Sequence, residues 1–288
     1  MTKSAPDDPK TLVSTDWLSE HLTDPDLRVF DASWYLPDAG RDARAEFEKG
    51  HIPGARFFDI DEISDLRSEL PHTAPPVEKF MSRMRAMGVG DGHQVVVYDG
   101  SGLFSAARVW WLFRLMGQTN IAVLDGGLPK WVADGHKTTK TPATIRDRHM
   151  TVKQRTDLVK DVTQVARAAK LKDHNIVDAR SPARFRGEIE EPREGLRSGH
   201  IPGSRNVFYQ DLLNADGTMK QANALRTIFT DAGVDMQKPV ITTCGSGVTA
   251  AILSLALERI GKTDHSLYDG SWSEWGMYAD LPIATGAA

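Results

Sequence analysis

The sequence is poor in several things, and each shortage excludes something. Its 288 residues include one cysteine, Cys244. A single cysteine forms neither an internal disulfide nor a multi-cysteine zinc site. Out of context it reads as a small buried hydrophobe. No run approaches the ~20 apolar residues that span a bilayer. Charge of one sign is not in excess either: 35 Lys and Arg stand against 39 Asp and Glu, a net charge of −4. Charge therefore gives no reason to expect nucleic acid or an anionic membrane as a partner. Met1 to Lys10 is polar, without the apolar core of a signal peptide or the Arg-rich character of an organellar presequence. A reducing cytoplasm is the expected compartment. At roughly 150 residues per domain, the length suggests two domains.

What is present is a repeat. Gly50-His51-Ile52-Pro53-Gly54 recurs as Gly199-His200-Ile201-Pro202-Gly203, at an offset of 149. Val29-Phe30-Asp31-Ala32 recurs as Ile176-Val177-Asp178-Ala179, at 147. Asp99-Gly100-Ser101-Gly102 recurs as Cys244-Gly245-Ser246-Gly247, at 145. Asp125-Gly126-Gly127 with Trp131 recurs as Asp269-Gly270-Ser271 with Trp275, at 144. Four matches in one order, with a slowly drifting offset, make the chain two copies of one domain.

Each copy alternates short apolar strands with helices. The first has strands over Arg28 to Ala32, Gln94 to Tyr98 and Ile121 to Leu124, with helices over Pro75 to Met87 and Phe104 to Met116. The second has strands over Asn175 to Asp178, Val240 to Thr243 and Ser266 to Tyr268, with helices over Ala222 to Ala232 and Thr249 to Ile260. This pattern predicts an α/β fold, with a parallel sheet flanked by helices in each copy. The domains are expected at 10–137 and 158–284, with a polar linker over 138–157 broken by Pro142.

Cys244 falls at the carboxyl end of a predicted strand and just before a helix, where open α/β sheets bind ligands. Gly245-Ser246-Gly247 lets the backbone turn tightly and aim successive N–H groups inward, and the next helix adds its positive end. The backbone of Gly245, Gly247, Val248 and Thr249 is the expected binding cradle. A thiol there is expected to be acidic and nucleophilic. A phosphate-binding loop is the other reading. Phosphatase chemistry on a cysteine needs an Arg about six residues on to clamp the phosphate. Position 250 is Ala, and no Arg precedes Arg259.

The two His-Ile-Pro-Gly elements and the Cys-Gly-Ser-Gly-Val-Thr-Ala loop resemble the rhodanese superfamily of sulfurtransferases across nearly the whole chain. The uncharged Gly245 and Ser246 resemble its mercaptopyruvate branch, where the thiosulfate type carries Arg-Lys. The resemblance implies two tandem rhodanese-like domains, the first non-catalytic because Asp99 replaces the cysteine. It implies sulfur transfer from 3-mercaptopyruvate through a Cys244 persulfide to a thiol, thioredoxin or cyanide, with release of pyruvate. Thiosulfate as donor is the alternative, and a non-catalytic sulfur carrier is a third. The resemblance also makes Arg184 and Arg193 the carboxylate binders, in Arg184-Phe185-Arg186-Gly187 and Glu191-Pro192-Arg193. Planar guanidinium forks suit that task, although a solvated basic loop would look the same. Ser246 is expected to move a proton, with His51 and Asp42 as candidate relay partners. Against that stands the repetition of His51 as His200, which favours a structural role for both. No metal and no organic cofactor are expected, and the chain is expected to be a monomer. Trp272 and Trp275 are candidate lining residues, and Asp61, Glu62 and Asp65 are expected to be a solvated face.

Overall fold

The computed structural model describes residues 6–287. Met1 to Ala5, half of the polar opening stretch, lie outside them. The chain forms two compact units. Among the described residues, the first takes in 6–66, 75–154 and 213–219, and the second takes in 67–74, 155–212 and 220–287. Each unit thus includes a short segment from the other half of the sequence.

The first unit holds a five-stranded sheet in the order β1-β5-β4-β2-β3, every pair parallel. The strands are β1 Leu12–Val13, β2 Leu27–Asp31, β3 Ala55–Phe57, β4 Gln94–Tyr98 and β5 Ile121–Leu124. The second unit repeats the plan as β6-β10-β9-β7-β8, again all parallel. Its strands are β6 Val159–Lys160, β7 Asn175–Asp178, β8 Arg205–Asn206, β9 Val240–Thr243 and β10 His265–Tyr268.

The physical reason for the plan is legible in β4. Val95, Val96, Val97 and Tyr98 are all buried, so both faces of the strand meet apolar side chains. At about 1.5–3 kcal/mol per fully buried large apolar side chain, such a run holds the centre of the sheet. The helices Ala106–Leu115 and Ala250–Arg259 are apolar nearly all round, as helices laid on a sheet must be. The outer strands β1, β3, β6 and β8 are two or three residues long. Such short edges offer little backbone for pairing with another chain. Trp110, Trp111 and Trp131 are buried in the first unit. Among the described residues, no helix is long and apolar enough to cross a membrane.

Candidate active site

The sheet order of the second unit creates a special place. From β7 the chain moves outward to β8, and from β9 it moves the other way to β10. The loops after β7 and β9 therefore diverge, which opens a crevice at the carboxyl ends of these two strands. Cys244 is the first residue after β9.

Cys244 is 2% exposed, yet it does not sit as a hydrophobe would. The Gly247 N–H donates to its Sγ at 3.1 Å. That direction of the amide depends on Gly247 being in the left-handed region, at φ 79°. The backbone of Cys244 is fixed from the far side. Its N–H donates to Ser271 Oγ at 3.2 Å, and its carbonyl accepts from Trp272 N at 2.9 Å. The Gly245 carbonyl accepts from Ser273 N and Oγ, at 2.8 and 2.7 Å. Val248 is buried and Thr249 directly precedes the helix Ala250–Arg259, so the loop runs straight into that helix's N-terminus.

Gly245 lies close to a guanidinium. A Cβ there would lie 3.1 Å from Arg184 Nη2. The Arg184 guanidinium thus stands beside the Cys244 loop. It is held by Glu191, with Nη2 to Oε2 at 2.5 Å and Nε to Oε1 at 3.2 Å. Glu191 also accepts from Arg180 Nη1 at 2.8 Å, and Arg180 in turn forks onto Asp178 at the end of β7. Burial pulls the Arg180 pKa down, but Asp178 and Glu191 outweigh it and leave the guanidinium above its ordinary value. Arg180 also lies over the Trp272 ring, 4.3 Å from its centre. Asp178, Arg180, Glu191 and Arg184 form one chain of charge-assisted bonds. Its inner members are essentially solvent-free and its last guanidinium is 22% exposed. Arg193 lies half-buried two residues beyond Glu191.

Ser246 finds a partner that the sequence did not suggest. Its Oγ lies 3.0 Å from His72 Nδ1, and both residues are buried. His72 comes from the segment 67–74, which belongs to the second unit. Asp269 at the end of β10 secures this segment by accepting from Ala74 N at 2.8 Å.

His51 and Asp42 stand elsewhere, in the first unit. The His51 ring stacks on Phe47 with centres 4.0 Å apart, and its two nitrogens face the carbonyls of Phe47 and Thr141. His200 repeats this on Phe185, at 3.8 Å between centres and with Nδ1 on the Phe185 carbonyl. Asp42 caps the helix Ala43–Lys49 by accepting from Ala45 N. Ser246 thus meets His72, a partner not among the expected relay residues His51 and Asp42, while His51 and His200 share one stacked, carbonyl-facing arrangement. Trp272 and Trp275 are fully buried, with Nε1 on the carbonyls of Arg197 and Pro282, and they line the core. The acidic run is solvated as expected, with Asp61 and Glu62 exposed and Asp65 half-buried. Asp61 accepts from Trp34 Nε1, and Glu62 pairs with Arg83.

Comparison with known proteins matches this geometry. A model of the rhodanese-like domain matches residues 14–134 and 161–278. The chain is 42% identical over 293 residues to the mitochondrial thiosulfate/3-mercaptopyruvate sulfurtransferase 1 of Arabidopsis thaliana, covering 94% of this chain and 77% of that one. It is 42% identical over 272 residues to the 3-mercaptopyruvate sulfurtransferase of Escherichia coli K12, covering 94% of this chain and 96% of that one. The crystal structure of SseA, a 3-mercaptopyruvate sulfotransferase of Escherichia coli, superimposes with a TM-score of 0.84 at 40% identity, over 91% of this chain and 99% of that one. Two copies of one domain, one loop built around a cysteine and these relatives lead to one conclusion: the chain belongs to the rhodanese-like domain family.

Proposed function

We propose that the chain is a sulfurtransferase that moves sulfur from 3-mercaptopyruvate to an outside acceptor through a persulfide on Cys244. One observation carries the reading: the Cys244 thiol accepts from a loop N–H beside the Arg184 guanidinium. The donor is supported by the relatives named for mercaptopyruvate.

In this reading Arg184 and Arg193 hold the donor carboxylate, and Glu191 aims Arg184. The Cys244 thiolate attacks the donor sulfur. A sulfur–sulfur bond forms, and the carbon–sulfur bond breaks with its electrons leaving on pyruvate as the enolate. The enolate carbon takes a proton from the Ser246 hydroxyl, and His72 restores that proton. The Gly247 N–H stabilises the anionic sulfur. An acceptor thiolate, from a small thiol or thioredoxin, then attacks the outer sulfur and Cys244 leaves as thiolate. Cyanide would leave as thiocyanate by the same step. With one cysteine per chain, the resolving thiol comes from outside. The chain acts as a cytoplasmic monomer, without metal or cofactor.

Thiosulfate as donor is the second reading, favoured by the Arabidopsis relative named for both donors. Steady-state kcat/KM for the two donors with one acceptor decides between them. A preference for mercaptopyruvate is expected; a preference for thiosulfate would overturn the donor assignment.

A further inference from the structure

Far from any role in sulfur chemistry, the first unit has a cavity of about 250 Å³ lined by four arginines, Arg28, Arg56, Arg146 and Arg148, with Gly88 and Thr144. Two of the four come from the sheet and two from the polar linker. Arg56 on β3 pairs in register with Phe30 on β2, and Arg28 lies two residues before Phe30. Since side chains alternate along a strand, Arg28 and Arg56 share one face of the sheet. The linker is held in place through its backbone. His149 O accepts from Asp91 N at 3.0 Å, Arg148 O accepts from Arg85 Nε at 3.2 Å, and Asp91 takes Thr151 N and Oγ. Arg146 and Arg148 are thereby carried to the cavity wall.

No carboxylate lines this cavity. Asp147 sits between Arg146 and Arg148 in the chain but is not part of the wall. Asp26 acts on Arg28 and His93 from outside it. Arg28 spends its donors on the carbonyls of Gly88, Pro25 and Leu27 and on His93 Nε2. It is fixed but not neutralised. The Arg56 Nε–H is buried and makes no hydrogen bond. Arg146 and Arg148 are exposed, and their guanidiniums have no ion pair among the described residues. Burial, and after it the charge of Arg28, pushes the Arg56 pKa down to about 10. Four converging like charges around a small space are unfavourable unless an anion neutralises them.

We propose that this cavity is an anion site for a compact multivalent phosphate of pyrophosphate size, either free or as the diphosphate of a nucleotide. Planar guanidinium forks match phosphate oxygens bidentately, and several forks around one space suit an anion with several charges. A monocarboxylate would leave most of the charge unanswered.

The test is calorimetric titration of the full chain with inorganic pyrophosphate at fixed ionic strength, with ADP and sulfate in parallel. Thermal melts with the same ligands supply a second readout. Saturable binding of pyrophosphate at one site per chain is expected. The Arg146→Ala/Arg148→Ala variant should bind about tenfold or more weakly, and the Arg146→Glu/Arg148→Glu variant should not bind. Both arginines are exposed, so neither variant disturbs the core. ADP binding as tightly as pyrophosphate identifies the diphosphate alone as the recognised group, and tighter binding adds a nucleoside contact. Cys244→Ser should bind as the parent does, which separates this site from the sulfur-transfer reading. No saturation, an equal melting shift from sulfate, or unchanged affinity in the double variants would overturn the proposal.

Discussion

The two copies share a backbone plan and differ where chemistry is expected. After β4 the first copy has Asp99, and after β9 the second has Cys244. The Asp99 carboxylate accepts from four loop amides: Ser101 N at 2.9 Å, Phe104 N at 2.7 Å, and Ser105 N and Ala106 N at 2.9 Å each. The loop of the first copy is thus an anion cradle, filled with its own side chain. The second copy has a sulfur in that place. The grip on the inserted segment is also repeated. Asp125 accepts from Met219 N in one unit as Asp269 accepts from Ala74 N in the other. At the position of His72, however, the first unit has Gly217, in the same left-handed region at φ 79° against 59°. A third difference follows β2 and β7. Asp31 is met by Ser33, at Oγ to Oδ1 2.5 Å, whereas Asp178 is met by Arg180, the root of the network that aims Arg184. The second unit thus differs from the first at three loop positions while keeping the same sheet order.

The comparison is broken most severely at the cysteine. Cys244→Ser should lower pyruvate release by at least about a thousandfold. Asp99→Cys should not create a second active loop, because position 217 offers no side chain to the loop beside it. Turnover from Asp99→Cys/Cys244→Ser would contradict this.

The histidines give the next largest contrast. His72→Gln should lower kcat by about a hundredfold or more, the usual worth of a positioned proton carrier. His51→Gln and His200→Gln should leave kcat within a few-fold and lower the melting temperature instead, by loss of about 1 kcal/mol of hydrogen bonding each. Equal kcat losses at His72 and His51 would erase the distinction.

Glu191→Gln tests the network. It should raise KM for a carboxylate donor about tenfold or more, with a smaller change in kcat. It should also destabilise the chain by about 3–5 kcal/mol, because Arg180 loses a buried partner. An unchanged KM would show that Arg184 does not hold the donor.

Ser271 sharpens the comparison on a finer scale. It has φ 49° where the first copy has Gly127 at φ 56°. A serine in that region costs about 1–2 kcal/mol, and its hydroxyl answers the Cys244 N–H. Ser271→Gly should keep or raise stability and lower kcat a few-fold.

A last contrast is in pH. Burial, above all, raises the Asp31 pKa from 3.8 to about 6. Between these values the unfolded chain has lost a proton that the folded chain retains. Stability should therefore fall as pH rises from about 4 to 6, by at most about 3 kcal/mol, and be flat in this term above that. Asp31→Asn should remove the slope in a urea-unfolding series; an unchanged slope would assign it to another group.

The central strands and long helices were legible because each carries its own signal. Gln94–Tyr98 and Val240–Thr243 are rich in β-branched residues, and the helix read over Phe104 to Met116 forms over Ala106–Leu115. The edge strands β1, β3, β6 and β8 escaped because two or three residues have no period to read. Cys244 was legible through strand, Gly-x-Gly and helix in succession. His72 was not, because it lies between elements, and only the tertiary structure brings it to Ser246. The copies did hold a signal. The sequence reading followed positions where they agree, such as His51 and His200, and agreement marked structure. Setting His72 against Gly217, at the offset of Asp99 and Cys244, exposes a difference of the same kind as the cysteine itself. The Glu191 grip on Arg184 was likewise hidden, since Glu188, Glu190 and Glu194 looked equivalent to it in the sequence.

The central claim is that sulfur is carried once per chain, on the second copy. Intact-protein mass measurement after treatment with 3-mercaptopyruvate and removal of excess donor tests it directly. The account predicts a gain of one sulfur atom, located on Cys244, removed by cyanide and absent from Cys244→Ser. No gain in the parent chain, or a gain that survives in Cys244→Ser, would contradict it.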